Sequence, residues 1–250
     1  RPEISKYMVN ALPKAYSGSY VIALCECLIL LLIITLIQFP KDDQVSTENT
    51  RSLFLIARQR TFVVSCFVGF VCWSSMAIQM SSAPLAMTGA KHNFNQVILA
   101  VQCHLLGMFG PSFLTGSLCN YFGCRLVMFI GLLIELSGTL VFQCGFKEIY
   151  FYLGLILIGI GWNFGYVGSS VLLTTTYCPE EKTKTHSLYE SIMMIALSIS
   201  FFSSAFAEQF IGWMNLTGKL ISIYLGVAIF IFIIYIVYEF YKTKSIRSQS

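Results

Sequence analysis

Seven long, nearly unbroken apolar runs, at residues 20–39, 61–86, 97–118, 126–144, 150–175, 188–206 and 220–241, decide what this chain can become. A hydrocarbon layer about 30 Å thick is crossed by a helix of about 20 apolar residues, and inside it every backbone N–H and C=O must be paired within the fold. A closed β-barrel also meets that demand, but its strands are segments of about ten residues with apolar and polar residues alternating. The runs here are about twice that length and do not alternate. The expectation is an all-α polytopic membrane protein, a bundle of about seven transmembrane helices. Composition agrees: 56% of the 250 residues are hydrophobic and 11% charged, against the roughly 25% charge of a soluble domain. The sixteen Lys and Arg against twelve Asp and Glu leave a net +4, gathered between the runs and forming no basic face, which excludes nucleic-acid binding.

Charge then sets the orientation. Pooling alternate loops places Lys41, Arg51, Arg58, Arg60, Arg125, Lys182, Lys184, Lys242, Lys244 and Arg247 on one side, ten of the sixteen basic residues. Positive charge marks the cytoplasmic side. The expected organisation is an outer segment at 1–18, a transmembrane helix at 19–39, a polar cytoplasmic central loop at 40–60, a six-helix bundle at 61–241 and a cytoplasmic tail at 242–250. The location is a cell membrane, plasma or bacterial inner, crossed several times.

The nine cysteines sit mostly inside apolar runs with no C-x-x-C pair, and read as packing residues. His92, His104 and His186 fall on separate segments with no nucleophile, metal-ligand spacing or phosphate-binding glycine loop beside them. No catalysis, metal or cofactor is expected. Polar residues at membrane depth are costly and mark candidate pathways. They include His104, whose ordinary titration range suits reversible protonation, and Asn163 beside Trp162, an amide next to an aromatic wall. Gln79, Trp73, Tyr166 and Glu190 complete the candidate solute pathway, with Glu190 expected about one turn into the sixth run. Gln102, Glu26 and Glu135 are further polar residues within the runs, Glu135 without a cation near it in sequence. Gly154, Gly159, Gly161, Gly165 and Gly168 crowd the fifth run, where small residues let helices approach closely.

The stretch from Gly116 to Arg125 resembles the loop signature of the major facilitator superfamily, G-x-L-x-D-R-x-G-R-R. Gly116, Leu118, Gly123 and Arg125 match it, and Asn120 stands at its acidic position. Ala83-Pro84-Leu85, His104-Leu105-Leu106-Gly107, Gly159-Ile160-Gly161-Trp162-Asn163 and Pro179-Glu180-Glu181 extend the likeness to the C-terminal half of a bacterial-type group in that superfamily. The resemblance implies that the run at 20–39 is helix six of twelve and that the rest are helices seven to twelve, with the first five, an N-terminal half, outside this sequence. It implies a secondary transporter moving a small organic solute by alternating access, with Gly116, Leu118, Asn120, Gly123 and Arg125 as a gating loop. Protons are an open coupling partner, through His104 and Glu190. A seven-helix receptor and a non-transporting membrane assembly subunit are the alternatives, although no Asp/Glu-Arg-Tyr or Asn-Pro-x-x-Tyr motif marks a receptor.

Overall fold

In a computed structural model, residues 17–37 and 50–247 are described. The expected outer segment up to residue 16, residues 38–49 with the first part of the central loop, and the last three residues of the tail lie outside them. Among the described residues there is no strand, and the protein is an all-α polytopic membrane protein. Six helices are long and apolar enough to cross a membrane: Arg60–Gly89, Phe94–Phe122, Cys124–Cys144, Glu148–Thr176, Pro179–Ser204 and Trp213–Lys242. The first apolar run forms helix α1, Ser17–Leu36, whose apolar part Tyr20–Leu36 is shorter than these six. It belongs to a compact unit separate from the one that runs from Asn49 onward.

That unit opens inside the expected central loop with a short helix, α2 (Leu53–Ala57), capped by the Ser52 hydroxyl. Then come α3 (Arg60–Gly89), α4 (Phe94–Phe109), α5 (Ser112–Phe122), α6 (Cys124–Val141), α7 (Glu148–Leu173), α8 (Lys182–Ile211) and α9 (Ser222–Arg247). A π-helical turn, Leu216–Ile221, leads into α9.

The run at 97–118 is two helices. Pro111 carries no N–H, so the carbonyl one turn before it loses its donor and the helix breaks between Phe109 and Ser112. At the other end of α5 the chain reverses on one residue: Gly123 sits at φ +87°, where a side chain is strained, and both closes α5 and opens α6. The sixth run also differs from expectation, because α8 begins at Lys182 rather than 188. Pro179 enters a preceding 3-10 turn at its first position, and the Glu181 carboxylate accepts the Cys178 N–H at 3.2 Å. The capped turn runs straight into α8 and so starts the helix before its apolar stretch. Glu190 therefore stands two turns into α8 instead of one. In the last helix, residues expected as tail, Lys242 and Lys244, remain helical up to Arg247.

At the centre lies α7, which packs on α3, α4, α5 and α6, while α8 leans on α3 and α9 on α6. Its glycines explain the closeness. A Cβ on Gly159 would stand 2.6 Å from the His104 carbonyl oxygen of α4, and one on Gly161 would stand 2.6 Å from the Glu135 nitrogen of α6. From the facing helix, a Cβ on Gly131 would reach the Gly165 nitrogen at 2.6 Å. Backbones meet where lipid supplies no hydrophobic drive for helix association.

Candidate functional site

On α7, Trp162, Tyr166 and Ser169 recur at i, i+4 and i+7 and so share one face. That face meets Trp73 of α3 and Tyr189 of α8. The ring of Trp73 stands edge-on to Trp162 at 4.8 Å and to Tyr166 at 5.4 Å, while Trp162 and Tyr166 stack at 5.1 Å. Tyr189 continues the stack beyond Tyr166 at 6.3 Å and holds the Ser169 hydroxyl at 2.5 Å. The Tyr166 hydroxyl donates to the Glu190 carboxylate at 2.9 Å. Four of the expected pathway residues, Trp73, Trp162, Tyr166 and Glu190, thus come from three helices into one cluster. Trp73, Tyr166 and Glu190 are half-buried and Trp162 is buried. Both indole N–H groups, of Trp73 and Trp162, are shielded and have no hydrogen-bond partner. Together the four residues make an aromatic surface with two unpaired, shielded donors and one acidic group.

The structure sets His104 and Asn163 elsewhere, on the side of α7 that faces α4 and α5. Nδ1–H of the fully buried His104 donates to the Leu155 carbonyl at 2.9 Å, the tautomer fixed because a carbonyl only accepts. Asn163 serves the Pro111 break. Its Nδ2 donates to the Met108 carbonyl at 2.7 Å and to the Ser112 hydroxyl at 2.6 Å, and its Oδ1 accepts from Thr115 at 2.5 Å. A broken helix survives at membrane depth when neighbouring side chains satisfy the freed backbone groups, and Asn163 does this from α7.

Gln79 joins a third group, which sequence reasoning missed as a group. Cys72, Ser75 and Gln79 fall at i, i+3 and i+7 on α3, facing Glu135 and Thr139 at i and i+4 on α6. Ser75 donates to the buried Glu135 carboxyl, and Thr139 donates to the Gln79 side-chain oxygen at 2.9 Å. The mid-run position of Glu135 was the visible signal; its partner on another helix was not.

Within the expected gating motif, Gly116, Leu118 and Asn120 lie on α5 rather than in a loop, and the reversal is made by Gly123 alone. Arg125, on the first turn of α6, lies 4.0 Å from the Glu239 carboxylate of α9 and 5.7 Å from the Tyr235 ring. The same end of the bundle holds a clamp with no counterpart in the sequence reading. Arg51 forks onto Glu181 with bonds of 3.0 and 2.6 Å and also reaches the Thr176 carbonyl at 3.0 Å, which Gln59 shares at 2.9 Å. The Glu181 hydrogen bond raises the Arg51 guanidinium above its ordinary pKa. With Lys184 donating to the Arg51 carbonyl at 2.5 Å, this clamp lays α2 across the start of α8, and Ile56 is fully buried there.

No protein-family profile matches the chain. Among curated proteins it is 29% identical over 216 residues to the riboflavin transporter RfnT of Brucella anthropi, an alignment covering 85% of this chain and 54% of that protein. It is 27% identical over 166 residues to the uncharacterized MFS-type transporter YddS of Bacillus subtilis, covering 63% of this chain and 36% of the relative. With YdeG of the same organism, also an uncharacterized MFS-type transporter, the figures are 28% over 161 residues, 63% and 35%. The chain is related to the major facilitator-type transporters. It spans about half the length of the first relative and about a third of the other two, a coverage that fits one half of a major facilitator-type protein. These relatives are named as transporters, which does not favour the receptor reading.

Proposed function

We propose that this chain forms one wall of the solute pathway of a secondary transporter that works by alternating access, the facing wall coming from sequence beyond these 250 residues. The observation that carries the proposal is the cluster of Trp73, Trp162, Tyr166 and Glu190 where α3, α7 and α8 meet. Sites in this class of transporter lie near the bilayer midplane between repeated halves, and a half-exposed aromatic face is what one such half presents. The solute we propose is a small, planar, heteroaromatic molecule, as the name of the riboflavin transporter relative suggests. Its ring packs on Trp73 and takes over ring contacts that Trp162 and Tyr166 now make with each other and with Tyr189, a rearrangement that uncovers the indole N–H groups for its acceptors, and a donor on its edge meets Glu190. His104 and Asn163 keep the broken α4–α5 helix in shape behind that wall. Glu190 is the group we assign to proton coupling, since it alone of the two protonatable candidates lies in the cluster.

The test is uptake of radiolabelled riboflavin by proteoliposomes containing the protein in its complete reading frame. Saturable uptake, suppressed by unlabelled flavin and by a Trp73→Ala change, is the expected result. Uptake equal to that of empty liposomes for riboflavin and for a panel of other heteroaromatic solutes would remove the solute class. Uptake that ignores an imposed pH gradient would remove the coupling role of Glu190 and leave the wall intact.

A further inference from the structure

At the end of the bundle that carries the Gly123 turn, an apolar groove of about 710 Å³ runs between α6 and α9 with the last turns of α7 as its floor. Phe129, Leu172, Ile233, Ile236 and Val237 line it. Its walls are open to the outside of the bundle: Leu126 is 45% exposed, Ile233 40% and Val237 46%. The groove turns polar at one end only, where Arg125 and Thr175 stand beside the Gly123 turn.

We propose that this groove holds an acyl chain of an anionic phospholipid whose phosphate is bound by Arg125. Three observations select this occupant over a solute. The long apolar stretch offers no polar group to orient a solute, whereas an acyl chain needs none. The polar end is cationic: Arg125 is half-exposed and its carboxylate neighbour, Glu239, stands at 4.0 Å, beyond hydrogen-bond length, so that contact takes up none of the guanidinium donors. The same end supplies more positive charge and an aromatic girdle. Arg60 lies over the Tyr238 ring at 4.6 Å, Tyr235 flanks Arg125, and Tyr241, Lys242 and Lys244 follow on α9. Tyrosines with Lys and Arg mark the depth of lipid headgroups, and basic pockets between helices at that depth bind anionic ones. One carboxylate, Glu239, opposes the phosphate against Arg60, Arg125 and Lys242, and the balance stays positive.

The full chain, purified in detergent and exchanged into nanodiscs, allows the test. Native mass spectrometry after mild delipidation is expected to show wild type retaining phosphatidylglycerol over phosphatidylcholine by about tenfold, about 1.4 kcal/mol. Arg125→Gln is expected to erase the preference without lowering total lipid retained by the rest of the bundle. Glu239→Gln, which removes the opposing carboxylate, is expected to raise it, and that rise keeps the test decisive should Arg125→Gln fold poorly. A photoreactive residue in place of Ile236 is expected to label phosphatidylglycerol. Equal retention of both lipids by wild type, a preference untouched by either substitution, or labelling of protein in place of lipid would each overturn the assignment.

Discussion

Helix α7 has two unlike sides. Toward α4 and α6 it places glycines against backbone, so that added carbon on Gly159 or Gly161 would sit 2.6 Å from main-chain atoms of the neighbour. Toward α3 and α8 it presents Trp162 and Tyr166 to rings and a carboxylate, with contacts of 4.8 to 6.3 Å between ring centres. Main-chain contacts have no slack, because a helix backbone yields only by moving the whole helix. Rings and hydroxyls on rotatable side chains repack without it. One side of the helix therefore fixes the shape of the bundle, and the other can exchange its contacts for a solute.

The sharpest attack on this division is Gly161→Leu. Overpacking typically costs about 1–3 kcal/mol, and a backbone neighbour sits at the costly end. Thermal unfolding in detergent is expected to lose its cooperative transition and the protein to be recovered largely aggregated. A variant that melts like wild type would show that α6 and α7 separate freely, and the rigid side would cease to exist.

Asn163→Leu comes next. It removes the 2.7 Å amide donor from the Met108 carbonyl, which keeps only the Ser112 hydroxyl at 3.4 Å, and leaves the Thr115 hydroxyl with the Pro111 carbonyl alone, buried beside the break. A buried polar group left unpaired costs about 1–3 kcal/mol. The melting temperature is expected to fall while the KM for uptake stays put. The opposite pattern, KM moved and melting unchanged, would transfer Asn163 from the shape-keeping side to the solute wall.

Trp73→Ala probes the yielding side. Two edge-on aromatic contacts vanish, each worth about 0.5–1.5 kcal/mol, and solute affinity is expected to fall about tenfold. Melting is expected to fall about as far as in Asn163→Leu, so the loss of affinity is what separates the two variants. A large loss of stability with unchanged affinity would make the aromatic cluster ordinary core.

These expectations rest unevenly on what the chain spells out. The helices follow from apolar length, and the glycines of α7 announce close packing by their crowding. Hydropathy reports only the apolar stretch of the sixth run, while α8 continues out of the capped 3-10 turn Pro179–Glu181 among polar residues. The break at Pro111 was hidden within one run for the related reason that both halves are apolar. Least legible were the pairings. Ser75 lies 60 residues from Glu135, and Ser112 lies 51 from Asn163, so nothing local in the sequence joins them. The Arg51–Glu181 clamp spans 130 residues. A polar residue at membrane depth can be recognised as costly from sequence, but only the packing of helices tells whether its partner is a backbone carbonyl, as for His104, or another candidate side chain, as for Glu190.

Tyr166→Phe is the mildest change and the most selective. It keeps the ring that stacks on Trp162 at 5.1 Å and removes only the hydroxyl that donates to Glu190 at 2.9 Å. Since the ring contacts survive, any effect belongs to the carboxylate. The lost bond is worth about 0.5–1 kcal/mol, which corresponds to a KM raised about twofold to fivefold, with maximal uptake little changed. A changed pH profile of uptake would accompany it, because the carboxylate that carries the proposed proton would have lost its donor. If Tyr166→Phe leaves both KM and the pH profile where they were, while Trp73→Ala weakens affinity, then the yielding side of α7 binds its solute through stacking alone and Glu190 only braces α8 against it.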